Sequence, residues 1–94
     1  MSNSIRRTIT IRNRLGLHAR PATMFVETAM RFSTGIRVRR SDRTNDCDGK
    51  SLMQLLILAA TQGTELELVA EGLDAEEALD ALSALAEAHF REDD

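Results

Sequence analysis

Tryptophan and tyrosine are absent, and three phenylalanines supply all the aromatic rings. That scarcity argues against base stacking on a sheet as a main activity. Cysteine occurs once, at Cys47, so no intramolecular disulfide can form, which fits a reducing cytoplasm. The two histidines, His18 and His89, lie far apart in sequence, and no Cys/His cluster has metal-ligand spacing. Neither a metal nor a cofactor is expected. No apolar run approaches the ~20 residues of a membrane span, so no membrane insertion is expected. The opening Met1-Ser2-Asn3-Ser4-Ile5-Arg6-Arg7 has no apolar h-region of a secretory signal. No internal repeat or low-complexity stretch is visible.

What is present fits one domain spanning residues 1–94. Two domains of half that length would each be too small to bury a stable core. The hydrophobic fraction is 43%, and the net charge is −3. That mild total hides a split. Residues 1–50 hold 11 basic and 4 acidic side chains, and residues 51–94 hold 1 basic and 11 acidic. Either the chain has a basic arm or acidic tail, or its two halves face each other.

Ile5, Arg7, Ile9 and Ile11 alternate with Arg6, Thr8, Thr10 and Arg12, which predicts a strand with one buried face. From Ala19 to Phe32 the period becomes helical, with Ala22, Phe25, Ala29 and Phe32 recurring every three to four residues. The lone proline, Pro21, fits only near that helix's start, where its missing N–H costs little. Ile36 and Val38 alternate with Arg37 and Arg39 as a second strand, and a weaker third is expected around Thr44–Asp48. Ser51-Leu52-Met53-Gln54 has capping-box spacing and opens a short apolar helix to about Ala60, with Gly63 following its end. Leu66, Leu68 and Ala70 alternate with glutamates in a fourth strand. Asp74-Ala75-Glu76-Glu77 is a second capping signature, opening a last helix. The order β-α-β-β-α-β-α gives an α+β fold. It is a two-layer, open-faced β-sandwich, with a four-stranded antiparallel sheet covered on one face by three helices. The residues from Arg91 to Asp94 are expected to fray.

The strongest chemical candidate is Gly16-Leu17-His18-Ala19-Arg20-Pro21-Ala22, where a strand hands over to a helix. A helix N-terminus presents unpaired N–H groups and the positive end of its dipole, which suit an anion. That places Ala19, Pro21 and Ala22 as the backbone contacts of a phosphate. Arg20 adds a permanent charge with donors matched to phosphate oxygens. An imidazole beside them is a nucleophile at neutral pH, and the positive potential keeps a ring nitrogen free. On these parts alone, His18 could equally be an ordinary capping residue. Ser51 is read as an N-cap with Gln54 as its reciprocal partner. The helix after it is apolar on all sides. Leu55, Leu56 and Leu58 are assigned to the core, and Leu52 and Met53 to an exposed docking patch. Cys47 is read as a small core or edge residue.

The heptad around His18 resembles the active-site signature of the HPr family, the histidine-containing phosphocarriers of bacterial phosphotransferase systems. Gly49-Lys50-Ser51-Leu52-Met53 resembles that family's regulatory-serine segment. Thr61-Gln62-Gly63-Thr64 and Ala70-Glu71-Gly72 also follow its pattern. The resemblance runs from about Ile5 to Leu85. It implies that enzyme I, charged from phosphoenolpyruvate, phosphorylates His18 at Nδ1, and that the group passes on to an enzyme IIA. Arg20 would neutralise the phosphate, and Leu52 and Met53 would lie on the partner surface. An HPr kinase/phosphorylase would act on Ser51. The protein is then a monomeric carrier more than a stand-alone catalyst. Alternatives are a regulatory protein of the nitrogen-related branch and, more remotely, a small RNA-binding α+β module. In the family's sheet order, the fourth strand lies between the first two. Glu65, Glu67 and Glu71 would then sit among Arg6, Arg12, Arg37 and Arg39.

Overall fold

The computed structural model describes residues 4–92; Met1, Ser2, Asn3, Asp93 and Asp94 lie outside the described residues. Four strands form one sheet: β1 (Ser4–Thr10), β2 (Gly35–Arg40), β3 (Cys47–Asp48) and β4 (Glu65–Glu71). Their spatial order is β1-β4-β2-β3, and all pairings are antiparallel. Helices α1 (Ala19–Ala29), α2 (Leu52–Leu58) and α3 (Ala75–Glu87) complete the architecture with a single turn at His89–Arg91. The open-faced α+β sandwich expected from the sequence is the fold. Among the described residues, no helix is long and apolar enough to cross a membrane.

The alternation in β4 explains the layering. Leu66, Leu68 and Ala70 are buried together with Ile9, Ile36 and Val38, and against them pack Phe25, Leu55, Leu79 and Leu82 from the helices. The intervening Glu67 points to the open face. There its carboxylate takes Arg6 of β1 at 3.0 Å and Arg39 of β2 at 2.6 Å. The two charge halves therefore meet across the sheet at Glu67, as the sheet order implied by the family resemblance leads one to expect. Arg37 departs from that scheme, approaching Asp46 at 4.0 Å. Arg7, on the other parity, reaches under the sheet to Asp80 of α3 at 2.7 Å.

Several local expectations need correction. Helix α1 stops at Ala29 rather than Phe32, because the chain tightens there into 3₁₀-type bonds, Arg31 N–H to Thr28 and Phe32 N–H to Ala29. The third strand shrinks to two residues, since Asn45 and Asp46 are poor strand formers. Helix α2 ends at Leu58, and the left-handed residue after it is Ala59 (φ 55°), while Gly63 serves the next turn. The Arg40 guanidinium donates to the Leu58 and Ala59 carbonyls and so closes that helix end. Leu56 is exposed, not buried; only Leu55 and Leu58 of this helix enter the core.

The two capping signatures also resolve differently. Ser51 Oγ accepts from the Gln54 N–H at 3.3 Å, but Gln54 Oε1 accepts from the Asp48 N–H at 2.7 Å and does not return to Ser51. Asp74 makes no cap bond to its own helix. Its carboxylate instead accepts from the backbone N–H groups of Ser33 (2.8 Å) and Thr34 (3.1 Å) and from Ser33 Oγ. Those donors, led by the Ser33 N–H, hold its pKa below the ordinary carboxylate value.

Candidate functional site

The site begins with a turn that only glycine can make. Gly16 has φ +73°, and a Cβ there would lie 2.5 Å from the Ala60 carbonyl oxygen and 2.9 Å from Thr61 Cα. This close approach lets the Leu17 N–H donate to the Ala60 carbonyl at 2.8 Å. The loop entering α1 is thus tied to the α2–β4 connection, and His18 is set directly after a fixed point.

His18 is the N-cap of α1, with extended backbone (φ −78°, ψ −170°) and no side-chain cap bond. Its carbonyl accepts the first helical bond, from the Ala22 N–H at 2.9 Å. The imidazole is therefore not spent on capping, and 37% of the side chain is exposed. The alternative of His18 as an ordinary capping side chain fails here. The backbone assignment narrows. Pro21 has no N–H, and that of Ala22 is taken, so Ala19 and Arg20 hold the free N–H groups of the first turn. Arg20 is exposed, and among the described residues its side chain makes no hydrogen bond or ion pair. A charged fork without a partner, next to a nucleophilic ring and a helix N-terminus, can close on an arriving anion.

The chain end also reaches the site. His89, Phe90 and Arg91 all have positive φ (53°, 51° and 61°), a left-handed turn made without glycine. Phe90 is fully buried and anchors it. The turn returns Glu92 to the first loop, where Oε2 lies 2.9 Å from His18 Nε2. Its other oxygen, Oε1, accepts from Asn13 Nδ2 at 2.9 Å. Asn13 is fully buried and donates its second amide hydrogen to the Gly16 carbonyl at 2.6 Å. The frayed end expected at 91–94 is therefore wrong for Arg91 and Glu92. The sequence reading missed Asn13 and Glu92. Asn13 carries a faint signal, a turn-forming side chain three residues before a glycine. Glu92 carries none, since an acidic residue near a chain end reads as solvated.

Ser51 and the apolar patch lie on α2. Ser51 is half-buried at the N-cap, Leu52 is partly exposed, and Met53 is 72% exposed beside Ile57. Leu15, just before Gly16, is exposed as well. Cys47 is a buried free thiol at the sheet edge, its pKa raised chiefly by burial. Among the described residues, no three or more His, Cys, Asp or Glu side chains gather as a metal site would need.

The site sets an exposed imidazole at a helix N-terminus, beside an arginine, on an open-faced α+β sandwich. The comparisons make the assignment specific. The family model described as the PTS HPr component phosphorylation site matches residues 5–88. The phosphocarrier protein HPr of Pseudomonas aeruginosa is 48% identical over 85 residues, covering 89% of this chain and 92% of that protein. The phosphocarrier protein NPr of Proteus mirabilis is 36% identical over 87 residues, covering 93% and 96%. The crystal structure of HPr-C-His from Thermoanaerobacter tengcongensis superimposes with a TM-score of 0.87. It is 44% identical and covers 95% of this chain and 98% of that one. The chain belongs to the HPr phosphocarrier family.

Proposed function

We propose that this protein is a single-domain, monomeric carrier of the cytoplasm. It accepts a phosphoryl group on His18 Nδ1 from phosphorylated enzyme I and delivers it to a histidine of an enzyme IIA. The observation that carries this reading is the uncapped, exposed imidazole at the N-cap of α1. In-line transfer needs positioning and charge stabilisation more than covalent machinery. Arg20 and the free N–H groups of the first helical turn supply the charge. The exposed setting lets the cargo leave again. Leu52 and Met53 offer apolar contact to the partners, and methionine adapts to more than one. Phosphorylation of Ser51 by an HPr kinase/phosphorylase would add about −2 of charge at the end of α2 without unseating the fold.

The similarity to an NPr supports a second reading, a regulatory carrier of the nitrogen-related branch, using the same histidine. Labelling with enzyme I and phosphoenolpyruvate tests the chemistry shared by both. An acid-labile, base-stable phosphate is expected on the native protein and none on His18→Ala; equal labelling of the two refutes it. Arg20→Ala is expected to slow transfer while leaving the urea midpoint unchanged. Parallel delivery to sugar-type and nitrogen-type enzyme IIA proteins separates the branches.

A further inference from the structure

The polarity of the hydrogen bonds around Asn13 leads to the ring of His18. Both hydrogens of the buried Asn13 amide face acceptors, the Gly16 carbonyl at 2.6 Å and Glu92 Oε1 at 2.9 Å. Flipping that amide would set its oxygen against two other oxygens, so its orientation has no alternative. Glu92 must therefore present an acceptor to Asn13, and an ionised carboxylate presents a second one, Oε2, to His18 Nε2 at 2.9 Å. Glu92 is well enclosed, with 14% of its side chain exposed, and is delivered there by the left-handed turn that Phe90 anchors.

We propose that Glu92, oriented by Asn13, is a positioning residue that holds the proton of the His18 ring on Nε2 and leaves the Nδ1 lone pair outward for the phosphoryl group. The proposal rests on reading His18 as the acceptor. In the forward step, the Nδ1 lone pair forms the new bond to phosphorus while the phosphorus–nitrogen bond of the donor histidine breaks. The Nε2 proton stays on the ring, and the positive charge that develops there faces the Glu92 carboxylate. On delivery, the Nδ1–phosphorus bond breaks and its electron pair returns to Nδ1. The ring leaves as a neutral imidazole still carrying its Nε2 proton. A carboxylate fixing an imidazole tautomer from the non-reacting nitrogen is the same device that orients the base of a catalytic triad or a metal-bound histidine.

Glu92→Gln separates this role from simple packing. The amide has only one acceptor, and Asn13 claims it, so an N–H of the glutamine would face Nε2. The ring must then accept there and carry its own proton on Nδ1. The test uses the full chain labelled with ¹⁵N at about pH 8, above the ordinary histidine range, with His18→Ala assigning the signals. Wild type is expected to show the Nε2–H form, Glu92→Gln mainly the Nδ1–H form, and Glu92→Ala a mixture. Initial phosphorylation by enzyme I is expected to fall about tenfold or more in Glu92→Gln, and less in Glu92→Ala. An Nδ1–H ring in wild type overturns the proposal, as does a Glu92→Gln variant unchanged in tautomer or in rate. If wild type takes no phosphoryl group at all, the carrier reading fails, and the ring spectra still decide the role of Glu92.

Discussion

At the scale of single residues, the site depends on positions whose chemistry is not their own reactivity. His18 was legible because a histidine, an arginine and a proline sit at a strand-to-helix junction with a glycine before them. Gly16 matters for a different reason: its turn and its missing side chain allow the loop to lie on the Ala60 carbonyl. Gly16→Ala is expected to cost more than about 1 kcal/mol of stability, since both the conformation and the space are wrong for a side chain. Urea denaturation measures this, and a midpoint equal to wild type would mean that the loop can lift from Ala60 without loss. Asn13 and Glu92 escaped the sequence reading because their meaning is purely tertiary. A buried asparagine and a near-terminal glutamate meet only after the backbone has turned left-handed at three consecutive non-glycine residues.

At the scale of elements, periodicity marked β1, α1, β2 and β4, while capping spacing marked the starts of α2 and α3 but was a poor guide to the bonds made there. Ser51 and Gln54 have the spacing of a reciprocal pair, yet Gln54 serves the Asp48 N–H. Asp74 has the position of an N-cap, yet it clasps the turn between α1 and β2. A side chain with several donors in reach takes the ones the fold leaves unpaired, and sequence spacing does not reveal them. The clasp has a pH signature. The folded-state pKa of Asp74 is lowered, so its contribution is present above the unfolded value, ~3.9, and is lost as pH falls through the folded value. Asp74→Asn is therefore expected to lower the urea midpoint at neutral pH and to lose less on acidification than wild type. Parallel loss in both proteins would place the acid sensitivity elsewhere.

At the scale of the whole molecule, the uneven charge along the chain is a record of strand neighbours. The basic strands β1 and β2 flank the acidic β4, and Glu67 joins all three on the open face. Pairs that still reach solvent, as these partly buried ones do, are worth little singly, ~0.2–1 kcal/mol. Glu67→Gln, which weakens two at once, is expected to cost at most about 2 kcal/mol. The deficit should shrink in 1 M salt, where the screening length is about 3 Å. A cost that does not change with salt would assign Glu67 a packing role instead.

The place of β4 between β1 and β2 also governs when the molecule can come into being. During synthesis β1 emerges first, yet its sheet partner lies some 60 residues later in the chain, at Glu65–Glu71. Until that segment leaves the ribosome, β1 has no strand to pair with, and β2 has only the two residues of β3. Gly16 and Leu17 wait on Ala60 in the same way. Partial folding has little to reward it, because distant pairings must close before any of them stabilises the chain. The nascent chain should therefore resist protease only after residue 71 is exposed, and the loop that carries His18 settles against Ala60 no earlier than the sheet is completed.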